Sequence, residues 1–136
     1  MLLNLVKKHL SGLLLLILLS TSLYAQEHPW RANTEWAKMP GERTWGSTSA
    51  VFPGQDGTMW VGERCGQNSC VGSEDDPILQ FDRNGNVINS FGAGMIDWPH
   101  GIFVDYENNI WITDAACPGC SNAPRNQGKL GHQIIK

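Results

Sequence analysis

The sequence predicts an all-β fold assembled from repeats, and three observations carry that prediction. A 14-residue stretch recurs without gaps 51 positions later, and Asn84-Gly85 marks a tight hairpin. The chain after residue 25 holds only two leucines, Leu79 and Leu130, beside 14 of the 15 glycines, all 7 prolines and all 6 tryptophans. Few leucines and many turn-forming residues suit short strands and not packed helices.

Residues 1–25 read as a leader outside that fold. Eleven of the 13 leucines lie there. Lys7-Lys8, the apolar run from Leu13 to Leu19, and Leu23-Tyr24-Ala25 give the charged, apolar and small-residue parts of a secretory signal peptide, with cleavage expected after Ala25. A retained anchor is the alternative. The apolar stretch from Leu10 to Ala25 is 16 residues, interrupted by Ser11, Gly12, Ser20, Thr21 and Ser22, whereas a span needs about 20. The expected destination is therefore periplasmic or extracellular, with no stable membrane anchor after cleavage. The formal charge of −3 becomes two units more negative once Lys7 and Lys8 leave. That balance argues against nucleic acid as a partner, because phosphate binding needs clustered Lys and Arg.

Residues 26–45, with Pro29, Pro40 and three tryptophans, are too short for a repeat and read as an irregular lead-in. The repeat begins after them. Residues 50–63 align on residues 101–114, with Trp60 matching Trp111. In each copy an apolar strand enters a polar turn, Gln55-Asp56-Gly57 or Glu107-Asn108-Asn109. A second strand then leaves with a tryptophan and ends on an acid, which is the pattern of an antiparallel hairpin. The first copy continues through a long loop to Ile78-Leu79-Gln80-Phe81, turns at Asn84-Gly85 and resumes with Val87-Ile88-Asn89-Ser90-Phe91. Both central residues of a two-residue Asn-Gly turn need positive φ, and that geometry is expected here. Four antiparallel strands in about 50 residues is the plan of a propeller blade. Residues 46–98 then form a first blade and residues 99–136 an incomplete second one, whose last strand, Gln133-Ile134-Ile135-Lys136, matches Pro77 through Gln80. A chain with one and a half blades reads as a fragment of a longer propeller, since closed rings use about 4 to 8.

The cysteines come as two close pairs, Cys65/Cys70 and Cys117/Cys120, each just after the second strand of its repeat. In an exported chain, local disulfides that staple the loops are the plain reading. A four-cysteine zinc site is compatible with the spacing. A redox role for Cys117-Pro118-Gly119-Cys120 lacks the βαβ context that lowers a thiol pKa. His100 sits immediately before the first strand of the second blade, where a side chain at the channel mouth can meet residues of other blades on one ligand. Its imidazole suits zinc, and a hydrogen-bonding role in the inter-blade loop is the alternative. Arg64 in Trp60-Val61-Gly62-Glu63-Arg64-Cys65 can orient a carboxylate, or form a surface ion pair beside Glu63. His132 reads as structural. Glu74-Asp75-Asp76 reads as a solvated acidic loop, with calcium ligation as the alternative.

The combination Trp-Val-x-Glu-Arg-Cys-Gly-x-Asn-Ser-Cys-x-Gly-Ser, Pro-Ile-Leu-x-Phe-Asp, Ser-Phe-Gly-Ala-Gly and Pro-His-Gly-Ile-x-Val-Asp resembles secreted bacterial NHL-repeat proteins of the peptidyl-α-hydroxyglycine α-amidating lyase type. It covers about residues 46 to 136. The resemblance implies a six-bladed β-propeller of which this chain is the opening portion. It implies a catalytic zinc held by three Pro-His histidines, one matching His100, and a structural calcium bound by the backbone carbonyl matching Ile102. It also implies that Arg64 contacts substrate. The implied chemistry is cleavage of a C-terminal α-hydroxyglycine to a peptide amide and glyoxylate, on a peptide or other small carboxylate substrate. A non-catalytic secreted propeller that binds a peptide, glycan or protein is the alternative, as is a truncated product without activity.

Overall fold

The structure is a computed structural model that describes residues 29–136; the leader expected over residues 1–25 lies outside them. The chain divides after Asn33, and every element below belongs to Thr34–Lys136. Among the described residues no helix is long and apolar enough to cross a membrane.

The fold is all-β, as expected: two antiparallel sheets, with a single short 3-10 turn at Pro124–Asn126 as the only helical element among the described residues. The first sheet is β1 (Thr48–Pro53), β2 (Met59–Glu63), β3 (Ile78–Phe81) and β4 (Val87–Phe91), paired in chain order. The second is β5 (Pro99–Val104), β6 (Ile110–Asp114) and β7 (Gln133–Ile135), also in chain order. Register confirms the repeat. Phe52 pairs with Trp60 as Phe103 pairs with Trp111, and Val61 pairs with Leu79 as Ile112 pairs with Ile135. The sheets meet where β5 packs on β1 and β2, their first strands converging. Neither sheet closes on itself or into a ring, which is the geometry of part of a β-propeller.

The hairpin expectation at Asn84-Gly85 needs correction. Gly85 has φ +77°, but Asn84 is not left-handed. Gly85 N–H donates to the Asp82 carbonyl at 3.1 Å and Asp82 N–H to the Asn86 carbonyl at 2.9 Å. This is a three-residue loop in which a turn is followed by one left-handed residue. The Asp82 side chain selects it by accepting the Asn84 and Asn86 N–H groups at 2.8 and 2.9 Å. The same loop joins β1 to β2, with Gly57 at φ +80°, and β5 to β6, with Asn108 at φ +65°.

Alternation along the strands gives the first sheet two apolar faces. Trp60 and Ile78, with Phe52 and Phe91 at their edge, pack against Ile96, Val104 and Ile112 to form the core between the sheets. Val61, Leu79 and Phe81 point the other way, and the lead-in covers them with Trp36, Ala37 and Met39. Phe81 is fully buried, with Trp36 and Trp45 each 5.8 Å from its ring. Trp36 Nε1 donates to the Arg83 carbonyl at 3.0 Å, and Lys38 N–H to the Gly85 carbonyl at 2.8 Å. The described part of the lead-in covers one face of the first sheet.

The acid that ends the second strand of each repeat is buried and fastens the chain as it enters the first strand. Glu63 Oε1 accepts from Gly46 N–H at 2.6 Å and Gly66 N–H at 2.8 Å, and Arg43 binds its other oxygen. Asp114, 51 positions on, accepts from Asp97 N–H at 2.9 Å and Trp98 N–H at 3.0 Å. Gly46 and Asp97 are equivalent positions.

Candidate functional site

Two of the sequence candidates meet on one tryptophan. Trp98 is held in place by the Asp114 bond to its N–H and by its indole, which donates to the Asn68 carbonyl at 2.9 Å. The Arg64 guanidinium lies over that ring with Cζ 3.7 Å from its centroid, and the His100 ring packs 5.2 Å from it. Arg64 Nε donates to the Pro99 carbonyl at 3.3 Å and Nη1 to Asn68 Oδ1 at 2.6 Å. Arg125, from the loop between β6 and β7, sits 5.1 Å from the Trp98 centroid.

This arrangement overturns the reading of Arg64 as half of a surface ion pair. Arg64 is buried, at 9% exposure, and its neighbour Glu63 is committed to Arg43. No carboxylate among the described residues forms an ion pair with Arg64 or Arg125. Burial pulls the Arg64 pKa down from its ordinary value, and the nearby charge of Arg125 adds to the effect. Two guanidinium groups share one aromatic residue without a neutralising partner. Two of the five N–H donors of Arg64 are used, and the others can bind an anion in the planar, paired geometry that suits carboxylate. Beside it lies a cavity of about 200 Å³ lined by Gln67, Asn68, Ser69, Ala123, Pro124 and Arg125.

His100 lies in β5, exposed at the rim of this cluster. A catalytic zinc needs three protein ligands, and no group of three ligating side chains among the described residues includes His100. The described residues do not by themselves form that centre. Ile102 pairs with Ile112 in the sheet, and its side chain joins the core between the sheets. Its carbonyl is one oxygen where calcium takes six to eight.

The cysteines pair as Cys65–Cys70 and Cys117–Cys120, with Cα atoms 5.2 and 5.4 Å apart. No cysteine among the described residues is free, so no four-cysteine metal site exists. The first bridge is buried, and its loop carries Arg64 and Asn68. In the acidic loop, Asp76 accepts from Ser90 Oγ at 2.7 Å and Ala93 N–H at 3.0 Å, so its oxygens are used in fastening β4. His132 has its N–H bonded to the Ala116 carbonyl at 3.2 Å. It precedes the third strand of its sheet, exposed, with a nitrogen near the Cys117 and Cys120 sulfurs.

Trp98, Asn68 and Arg125 are the residues of this cluster that sequence reasoning did not single out. Trp98 stood inside the Pro-His-Gly motif region and could have been found there. Arg125 lies in an irregular loop and gave no pattern.

No protein-family model matches the chain. A 44-residue segment, 32% of the chain, is 39% identical to rat (Rattus norvegicus) peptidylglycine alpha-amidating monooxygenase. The match spans only 4% of that relative's length, which makes the relation distant.

Proposed function

We propose that the chain is part of an exported NHL-type propeller, six-bladed when complete, that recognises the terminal carboxylate of a peptide. In the amidating-lyase form of this reading, it cleaves peptidyl-α-hydroxyglycine to a peptide amide and glyoxylate. One observation carries it: Arg64 is buried, stacked on Trp98 beside His100, and paired with no acid among the described residues. A desolvated guanidinium with unused donors favours a carboxylate more strongly than a solvated one does. Arg64 would clamp the carboxylate, Asn68 would fix the plane of the guanidinium, and Arg125 would add charge from the facing loop. The similarity to an amidating enzyme supports the choice of substrate class.

The test compares hippurate with hippuramide as ligands of the full chain. Hippurate should bind, hippuramide should not, and Arg64→Ala should reduce hippurate binding at least ~10-fold, with Arg64→Lys restoring little because an ammonium lacks the planar fork. Equal binding of the amide, or no effect of Arg64→Ala, would overturn the reading.

The second reading is a non-catalytic propeller that binds a peptide, glycan or protein; among the described residues no set of three metal-ligating side chains includes His100. Glyoxylate release from an α-hydroxyhippurate probe by the zinc-loaded protein separates the two. Carboxylate binding without release supports the binding protein.

A further inference from the structure

Away from Arg64, the described residues bring one set of three metal-ligating side chains together. A His132 nitrogen and the sulfurs of Cys117 and Cys120 all lie within 4.8 Å of one another. Backbone geometry produces this. In Cys117-Pro118-Gly119-Cys120 the Cys120 N–H donates to the Cys117 carbonyl at 3.0 Å, and Gly119 has φ +81°. Proline at the second position and a left-handed glycine at the third are the requirements of a type II turn. Buried Asn126 holds the turn from within: its Oδ1 accepts from Cys117 N–H at 3.1 Å, and its carbonyl from Gly119 N–H at 3.3 Å. His132 arrives from a separate segment in a left-handed conformation, φ +52°, that few non-glycine residues adopt. Its N–H donates to the Ala116 carbonyl at 3.2 Å, one residue before Cys117.

The two bridges of the chain differ in a way that matters. Cys65 and Cys70 are each 5% exposed and belong to no such group, whereas Cys120 and His132 are exposed. A reductant and a metal ion can reach the second bridge from solvent.

We propose that the Cys117–Cys120 bridge is one state of a redox-gated metal site, in which the reduced pair and His132 bind a zinc-class cation. A dithiol reductant gives two electrons and two protons to the bridge and leaves as its own disulfide. Metal binding then releases the two thiol protons to solvent, and the ion takes two thiolates, one imidazole and a water in a tetrahedral set. Two sulfurs and a nitrogen favour zinc over calcium or magnesium, which prefer oxygen. A disulfide oxidant accepts the two electrons and two protons from solvent, leaves as a dithiol, and the rejoined sulfurs release the ion. This site uses neither His100 nor Arg64, so it stands apart from the carboxylate reading.

The experiment titrates zinc into the full chain before and after reduction by a phosphine that is then removed under inert gas, with a chromophoric competitor reporting affinity. Cobalt substitution reports thiolate ligation through its charge-transfer absorption. The reduced chain should bind one zinc more than the oxidised chain, and only the reduced chain should show the thiolate band with cobalt. His132→Ala, a change at an exposed loop position that leaves both sulfurs in place, should weaken zinc at least ~10-fold. The double variant Cys117→Ser/Cys120→Ser should abolish the thiolate band. Absence of zinc binding after reduction, equal binding before it, unchanged affinity in His132→Ala, or a thiolate band of parental intensity in Cys117→Ser/Cys120→Ser would each overturn the proposal.

Discussion

Trp60 and Trp111 occupy the same position of the two sheets, yet Trp60 is 6% exposed and Trp111 37%. The second sheet covers the face that carries Trp60, Phe52 and Ile78. The equivalent face of the second sheet presents Trp111, Phe103 and Ile134, the last two 52% and 70% exposed. Its partial cover among the described residues comes from Phe52, whose ring lies edge-on 5.2 Å from that of Phe103, and from the Lys136 ammonium, 5.0 Å from the Trp111 ring.

An open apolar sheet face invites association. The chain should therefore self-associate with rising concentration in sedimentation velocity, and the double variant Phe103→Ser/Ile134→Lys should remain monomeric with its far-ultraviolet circular dichroism unchanged. A monomeric parent chain at high concentration would contradict this.

Breaking the latch at Glu63 should be costly. Glu63→Gln removes the charge that compensates Arg43, itself only 10% exposed. Loss of one partner of a buried ion pair costs about 3–5 kcal/mol. Urea denaturation should show the midpoint falling without a change in slope.

The lead-in should contribute stability and not merely connect. Phe81→Ala should cost about 3–5 kcal/mol by opening a cavity in a fully buried position, and Trp36→Ala about 2 kcal/mol from the cover above it. Their costs should not add, because the two rings touch. A double-mutant cycle in denaturant measures the coupling.

Acid sensitivity should trace in part to Asp105. The Trp111 indole, 3.0 Å away, and then the Asn109 and Glu107 donors hold its carboxylate at a pKa of about 2, below the ordinary 3.8. A depressed folded pKa means that its contribution is fully present above the unfolded value and is lost as pH falls from 3.8 towards about 2. Asp105→Asn should flatten the stability slope in that window and leave it unchanged near neutrality. A slope equal to that of the parent chain would show that other carboxylates set it.

The sequence by itself determined the features that depend on neighbours along the chain. The 51-residue offset, the alternation in Trp60-Val61 and Ile78-Leu79, and the turn residues Gly57, Gly85 and Asn108 specified the strands, the repeat and the disulfide partners. These are local choices, made by backbone dihedrals and by which side chains share a face. Tertiary structure decided what covers each face. The same tryptophan is buried in one repeat and half-exposed in the other because only one has a sheet packed on it. The lead-in found its role on Phe81, and Arg64 met Trp98, Asn68 and Arg125, because loops far apart in sequence converge where β1 and β5 pack together. No periodicity encodes such meetings, since they depend on the packing of whole sheets.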